Sequence, residues 1–190
     1  MRHDVIVDTD IWVYLVLSDF YERIIKYHGK LYFSDVVENE IMKWHSNIGK
    51  SKEIAENFKQ LKKKKQLVVI QFDTFDTLER MSIEHQLSEY GLKTVNIAEK
   101  NKGEFVSYLY AIHKKIPHFK TNDKHFAHII ASNSFKVEIQ HWNELLDQHA
   151  ISIKEKQDAL NKVKSFEKKM VDEHHSKIDP RWEKLRGFLI

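Results

Sequence analysis

The stretch Asp4-Val-Ile-Val-Asp-Thr-Asp10 sets the fold class that we expect for this 190-residue chain. Three β-favouring apolar residues at 5–7 run directly into Asp8, and an apolar segment at 11–17 follows at once. A short apolar run that leads into a helical segment is typical of a buried strand in a parallel sheet. An acidic residue at the carboxyl end of such a strand points into the crevice where open α/β sheets bind ligands. We therefore expect Asp8 to face a ligand-binding crevice.

Length and charge predict one domain with an extension. A chain of 190 residues suits a single domain with a full-sized core at 1–150, followed by a helical, basic extension at 151–190. The extension holds ten Lys and Arg against seven Asp and Glu, so the whole net charge of +3 lies there. A neutral body with a basic tail is compatible with nucleic-acid binding, although many soluble proteins share this imbalance.

The amino-acid composition limits the kinds of functional site that the chain can form. The chain has no cysteine, which excludes disulfides, thiolate metal sites and cysteine nucleophiles. Its five glycines form no glycine-rich phosphate loop. The amino-terminal segment lacks the pattern of a signal peptide, and no apolar run approaches the length of a membrane span. We expect a cytoplasmic protein without membrane association, in which any metal site uses oxygen or imidazole ligands.

Helix and strand patterns alternate along the rest of the domain. Thr9 or Asp10 is predicted to cap one continuous helix that ends near Gly29. Asp35 and Glu38 have the spacing of a capping box for a second helix. After the first strand, we expect strands at 31–34, 66–70, 116–120 and 136–139, and further helix caps at Ser51, Asp123 and Asn143.

Glu40 lies where a carboxylate is unexpected. The second helix is predicted to carry one apolar stripe, formed by Val36, Val37, Ile41 and Trp44, and Glu40 falls inside that stripe. Burying an unpaired charge costs several kcal/mol or drives protonation, so Glu40 requires a cation. That cation is either a Lys or Arg in an internal salt bridge or a bound metal ion.

Two further acids occupy special positions. Glu104 opens a nearly all-apolar segment at 105–112, in the first helical turn, where the helix dipole favours a carboxylate even without a partner. Asp123 is predicted to end the strand at 116–120 and to cap a helix over 124–132, which repeats the geometry of Asp8.

These four acids are predicted to meet. If the first and fourth strands are neighbours in a parallel sheet, the acids can converge at one end of it. Four carboxylates in one site repel one another, and several stay protonated unless divalent cations compensate. Ligation by oxygen alone favours Mg²⁺ or Mn²⁺ over zinc.

Four short motifs, in order, resemble those of the PIN-domain nucleases. They are V-D-T-D at 7–10, E-N-E-I at 38–41, G-E at 103–104 and T-N-D at 121–123, and the resemblance covers roughly 4–149. It implies a three-layer α/β/α Rossmann-like sandwich with a mainly parallel sheet. It also implies a metal-dependent endoribonuclease, in which a metal-activated water hydrolyses RNA to products with 5′-phosphate and 3′-hydroxyl ends.

The resemblance also implies roles for individual residues. The catalytic acids, which would bind one or two Mg²⁺ or Mn²⁺ ions, are Asp8, Glu40, Glu104 and Asp123. The residues that support these ligands are Asp10, Thr121 and Asn122. The basic tail and a lysine run could hold the RNA backbone without base specificity, although such a run at a helix end is often simply solvated. The run consists of Lys62, Lys63, Lys64 and Lys65.

Several alternatives stay open at this stage. The chain is longer than small toxin-type members of the family. It could be a toxin held by an inhibitory protein partner, or a separate defence nuclease. It could act on DNA, form a homodimer, or bind RNA or protein without cutting. Asp-Thr-Asp after a strand also resembles haloacid-dehalogenase phosphatases, but Trp12 replaces their usual Thr or Val and no adjacent Asp pair follows. A histidine metal site is conceivable at His125 and His128, or at His174 and His175.

Overall fold

The computed structural model describes residues 4–99, 102–123 and 136–178. The chain divides into two compact units, Met1–His149 and Ala150–Ile190. The helix predicted over 124–132, with His125 and His128, lies outside the described residues, as do the side chains of His174 and His175.

A five-stranded parallel sheet forms the centre of the first unit. Its strands are β1 (Val5–Val7), β2 (Leu31–Ser34), β3 (Leu67–Ile70), β4 (His118–Lys120) and β5 (Glu138–Gln140). Their order is β3-β2-β1-β4-β5, and every neighbouring pair is parallel. The expected pairing of the first and fourth strands is confirmed, with Val5 opposite His118 and Val7 opposite Lys120. Both strands therefore end at the same edge, which we call the carboxyl edge.

Helices cover both faces of this sheet. Those of the first unit are α1 (Thr9–Leu17), α2 (Tyr21–His28), α3 (Asp35–Met42), α4 (Lys50–Lys63), α5 (Thr77–Glu89), α6 (Lys102–His113) and α7 (Trp142–His149), with 3-10 turns at Lys43–Ser46 and Phe72–Thr74. Ile6 and Phe119 pack with Ile83 of α5 and Leu109 of α6 on one face. Side chains alternate along a strand, so the other face receives α1 and α4. The predicted α/β sandwich is confirmed.

An aromatic cluster fixes α1 against the sheet. The ring of Trp12 lies 5.7 Å from that of Phe33 on β2 and 5.6 Å from that of Phe58 on α4, both edge to face. The Trp12 indole N–H also donates to the carbonyl of Ile54 at 3.4 Å. Edge-to-face contacts add stabilisation beyond the area they bury. The helix that begins beside Asp8 is thereby fixed in position.

The second unit contains helix α8 (Ile153–Ile178). This helix agrees with the helical structure predicted for the extension. No helix within the described ranges is both long and apolar enough to cross a membrane.

The first predicted helix and its predicted cap were wrong. The single helix expected to run from residue 9 to near Gly29 is broken, because Asp19 adopts a left-handed conformation with φ 64° and α2 begins at Tyr21. Asp8 caps α1, in place of Thr9 or Asp10.

Other helix starts also differ from prediction. Ser34 caps α3 by accepting from the Val37 N–H at 3.3 Å, whereas Asp35 accepts from the Phe72 N–H at 2.7 Å and so ties α3 to the end of β3. Helix α3 ends at Met42, which leaves Trp44 in a 3-10 turn. Helix α4 follows Gly49, and α7 starts at Trp142, so neither Ser51 nor Asn143 is the cap.

The packing of α1 predicts that two Leu-to-Ala substitutions lower the free energy of unfolding by very different amounts. Leu15 is fully buried, whereas Leu78 on α5 is 78% exposed. Truncating a buried Leu to Ala typically costs about 2–5 kcal/mol, and most surface changes stay within about 0.5 kcal/mol. Urea unfolding of Leu15→Ala and of the matched control Leu78→Ala measures this directly. Equal losses in the two variants would contradict the described packing.

Candidate functional site

Asp8 lies at the carboxyl edge of the sheet and is held from two sides. Its side chain is buried; one oxygen accepts from the Thr9 N–H at 2.6 Å and the other from the Thr121 hydroxyl at 3.3 Å. Burial raises the pKa of this carboxyl well above its usual range, and the charges of Glu104, Asp10 and Glu40 add to the rise. The Thr9 N–H opposes it. Asp8 therefore lies among like charges that favour its neutral form.

Glu40 reaches the same place from α3. Its Oε2 accepts a hydrogen bond of 2.6 Å from the Thr9 hydroxyl. A Cβ atom on Gly103 would lie 3.2 Å from Glu40 Oε2 and 3.3 Å from Oε1, which is closer than ordinary contact. A glycine at the start of α6 therefore lets the Glu40 carboxylate approach the backbone of that helix.

The predicted salt bridge to Glu40 is absent from the described part of the chain. Burial raises the pKa of Glu40, the Thr9 hydroxyl and the charge of Lys43 lower it, and Asp10 raises it. Lys43 thus acts on Glu40 through space, and no described Lys or Arg pairs with this carboxylate. Within the described residues, therefore, no Lys or Arg supplies the cation that the position of Glu40 in the apolar stripe indicated.

Glu104 occupies the first turn of α6, as predicted, and is half-buried. Burial raises its pKa to about 7, its own backbone N–H opposes the rise, and the charges of Glu40, Asp10 and Asp123 contribute to it. A carboxyl group with this pKa is partly protonated at neutral pH. The charge of Asp123, which follows β4, therefore acts on Glu104 of α6.

Thr121 connects β4 to this group of acids. Its hydroxyl donates to Asp8 and accepts from the backbone N–H of Asp123 at 3.3 Å. The Asn122 side-chain amide lies 3.5 Å from the hydroxyl of Tyr14 on α1. Thr121 and Asn122 therefore hold the β4 end against α1, and Asp10 is exposed beside the acids whose pKa it raises.

The structure brings the four predicted acids together from four separate segments. Asp8 and Asp123 follow neighbouring strands, Glu40 comes from α3 and Glu104 from α6. Each of Asp8, Glu40 and Glu104 has a raised pKa, and acidic neighbours are among the causes in every case. We call this group the acidic cluster.

The lysine run ends at the amino end of β3, whereas its first residue, Lys62, reaches α3. Lys65 and Gln66 precede β3 at its amino end, and Lys65 forms the turn with φ 59°. The Lys62 ammonium forms an ion pair with Glu38. A role for Lys62, Lys63, Lys64 and Lys65 in holding nucleic acid stays a prediction.

The chemistry of the acidic cluster fits a hard divalent cation. Its donors are carboxylate and hydroxyl oxygens, which Mg²⁺ and Mn²⁺ prefer, and a cation would relieve the repulsion among them. As placed, no three acids or histidines in the described ranges lie close enough to hold one ion together. The hydroxyls of Thr9 and Thr121 instead occupy oxygens of Glu40 and Asp8. Donor type fits the ion, and binding it requires these side chains to turn towards one another.

Sequence reasoning missed two contributors to the cluster. The sequence predicts Thr9 as a possible helix cap and as part of the V-D-T-D motif, whereas in the structure its N–H holds Asp8 and its hydroxyl holds Glu40. Gly103 was noted only as part of a motif, although its missing side chain admits Glu40. A hydroxyl residue between two acids, and a glycine directly before a helix-start acid, are the signals that could have indicated these roles.

The raised pKa of Glu104 predicts a pH-dependent stability. Between its ordinary value of 4.5 and about 7, the folded state binds more protons than the unfolded state, so this group lowers the free energy of unfolding as pH rises. Glu104→Gln removes that contribution. In EDTA, the free energy of unfolding of Glu104→Gln should therefore rise relative to that of wild type as the pH is raised from about 5 to about 8, a range that covers most of the interval between the two pKa values.

Thermal or urea unfolding at several pH values checks this. The control Glu53→Gln changes a carboxylate on α4 that is 51% exposed and whose ion-pair partner is a lysine, Lys50, and its stability relative to wild type should stay constant over the same range. A constant difference for Glu104→Gln as well would refute the raised pKa.

Comparisons with known proteins give limited information. No protein-family model matches the sequence, and no curated protein matches it. Among solved structures, the chain is similar to one in the crystal structure of VapBC2 from Rickettsia felis bound to a DNA fragment from their promoter. The TM-score is 0.49 at 19% identity, and the match covers 73% of this chain and 98% of that chain. Similarity at this level assigns neither family nor activity to this chain.

Proposed function

We propose that residues 4–149 form a PIN-like nuclease that uses Mg²⁺ or Mn²⁺ to hydrolyse phosphodiester bonds in RNA. The observation that carries the proposal is the acidic cluster, in which four carboxyl groups from distant segments lie at the carboxyl edge, and burial together with acidic neighbours raises the pKa of Asp8, Glu40 and Glu104. A fold gains no stability from such an arrangement, because like charges in a partly buried place oppose folding. A site selected for binding divalent cations accounts for it.

Each acid has a distinct place in the proposed reaction. A bound divalent ion supplies Lewis acidity, which makes water more acidic and stabilises charge on the leaving oxygen. Asp8 and Asp123, on neighbouring strand ends, would hold the principal ion. Glu40 and Glu104 would orient the attacking water or hold a second ion.

The acidic cluster also defines what an inhibitory protein partner would need. The sequence resemblance to PIN-domain nucleases, which include toxin-type members, is our reason for proposing such a partner. A partner that enters the cluster must bring a cationic side chain, since any other group would leave the carboxylates uncompensated.

A non-cleaving RNA- or protein-binding module is the second candidate. One observation favours it: within the described ranges, no three acids or histidines are close enough to hold one ion as placed. In that case the acids with raised pKa values would be protonated, and no ion would be bound.

Loss of Asp8 should abolish cleavage. Losing a residue that supports a metal ligand costs about 10–100-fold, so Asp8→Asn should lower activity by more than about 100-fold. The assay is cleavage of defined RNA and DNA oligomers with Mn²⁺ or Mg²⁺. Asp73→Asn, a change at an exposed aspartate in the turn after β3, is the matched control and should keep wild-type activity.

The same experiment separates the two candidates. Wild-type protein that cuts RNA in Mn²⁺, with no cleavage by Asp8→Asn, supports the nuclease. Wild-type protein that cuts neither RNA nor DNA and shows no ion binding by calorimetry favours the non-cleaving module. Unchanged cleavage by a clean preparation of Asp8→Asn would remove the acidic cluster from the reaction.

Thr9 should act as a positioning residue for two of the acids. Thr9→Val keeps the backbone N–H to Asp8 and loses the hydroxyl that holds Glu40 at 2.6 Å. Loss of an outer partner predicts about 10–100-fold weaker Mn²⁺ binding or activity, with recovery in Thr9→Ser. Mn²⁺ titration by calorimetry measures this, and unfolding experiments establish that the variants remain folded. Equal Mn²⁺ affinity in Thr9→Val and wild type would contradict the role.

A further inference from the structure

A polar cleft adjoins the acidic cluster at Glu40. It has a volume of about 150 Å³ and lies between α3 and the segment 95–99 that leads towards α6. Its lining consists of Asp35, Val36, Asn39, Glu40, Lys43, Val95, Asn96, Ala98 and Glu99. Because Glu40 belongs to both, whatever fills the cleft lies next to the proposed reaction site.

A buried lysine fixes one wall of the cleft. Lys102, the first residue of α6, is fully buried, and its ammonium donates to the carbonyl of Thr94, to that of Ile97 at 2.6 Å and to Glu99 Oε2 at 3.3 Å. An ammonium buried in this way is tolerated only when its donors are satisfied, so these bonds hold the segment in one conformation. The cleft wall is therefore preformed, as ligand sites usually are.

Asp35 and Glu99 are two of the three acids that line the cleft, and each accepts hydrogen bonds from protein groups. Asp35 accepts from the Phe72 N–H at 2.7 Å and from the Tyr110 hydroxyl at 3.1 Å. Glu99 accepts from the Lys93 N–H at 2.7 Å as well as from Lys102. These bonds involve both oxygens of Asp35 but only Oε2 of Glu99.

Besides the carboxylates, the polar groups of the cleft are two amides and an ammonium. Asn39 and Asn96 are exposed, and across the residues that the structure describes their side-chain amides form no hydrogen bond. Lys43 is exposed on the α3 side. Val36, Val95 and Ala98 give the cleft apolar surface between these polar groups.

We infer that this cleft binds one base of a single-stranded RNA, next to the phosphodiester that is cut. The inference rests on the proposed function and adds base preference to it. A volume of about 150 Å³ falls below the about 300–1,000 Å³ of sites for whole small molecules, so it suits one ring system. Amides offer the paired donor and acceptor that base edges require, apolar side chains contact the base faces, and Lys43 is placed to contact the backbone phosphate.

Cleavage of an RNA library randomised at the positions around the cut tests the base preference. Wild-type protein in Mn²⁺ should show a preference at one position beside the cut. Asn39→Ala and Asn96→Ala should each lower that preference by about tenfold, the effect of losing one amide-to-base contact. Asn47→Ala, an exposed asparagine outside the cleft, is the matched control and should keep it.

A binding experiment makes the result independent of cleavage. Fluorescence anisotropy of the Asp8→Asn protein with labelled oligo(A), oligo(C), oligo(G) and oligo(U) should show unequal affinities, and adding Asn39→Ala or Asn96→Ala should make them nearly equal.

The outcomes distinguish this inference from the proposed function. RNA cleavage with no base preference, or with a preference that both cleft variants keep, overturns the base site and leaves the nuclease. No RNA cleavage, with base-dependent binding that the cleft variants abolish, supports the base site and overturns the nuclease. Binding that is equal for all four oligomers overturns the base site in either case.

Discussion

Repulsion among buried carboxylates is the constraint on which the organisation of this protein depends. Asp8, Glu40 and Glu104 are each at least half-buried, and the charges of acidic neighbours raise the pKa of all three. Protein interiors disfavour such groups unless a partner compensates them. The rest of the fold must therefore supply the stability that holds these acids together.

That stability comes from the pairing of the strands and from the packing of aromatic side chains between the sheet and its helices. Pairing of β1 with β4 fixes Asp8 beside Thr121, and the Asp8 N–H continues the ladder by donating to the carbonyl of Lys120 at 3.0 Å. The Trp12, Phe33 and Phe58 rings then hold α1 on the sheet. The carboxyl edge is thus a rigid frame, and rigid frames are where preorganised sites are built.

Features with a local cause were predictable from the sequence. Apolar runs that end in acids located β1 and Asp8, and the acid inside an apolar stripe identified Glu40. Features set by tertiary contacts were not predictable. Asp35 has the spacing of a helix-capping residue, yet its carboxylate is taken by Phe72 and Tyr110, which are distant in sequence. The break at Asp19 and the hydrogen bond from Thr9 to Glu40 likewise depend on neighbours that no local pattern reveals.

Three consecutive residues at the start of α6 connect the acidic cluster to the cleft. Lys102 holds the wall of the cleft, Gly103 admits the Glu40 carboxylate, and Glu104 joins the cluster. These residues share one helical turn, so one short segment supports the cleft wall through Lys102 and contributes Glu104 to the acidic cluster. A base held in the proposed cleft would therefore lie close to this turn, and holding a substrate next to the reacting groups is one way in which binding contributes to catalysis.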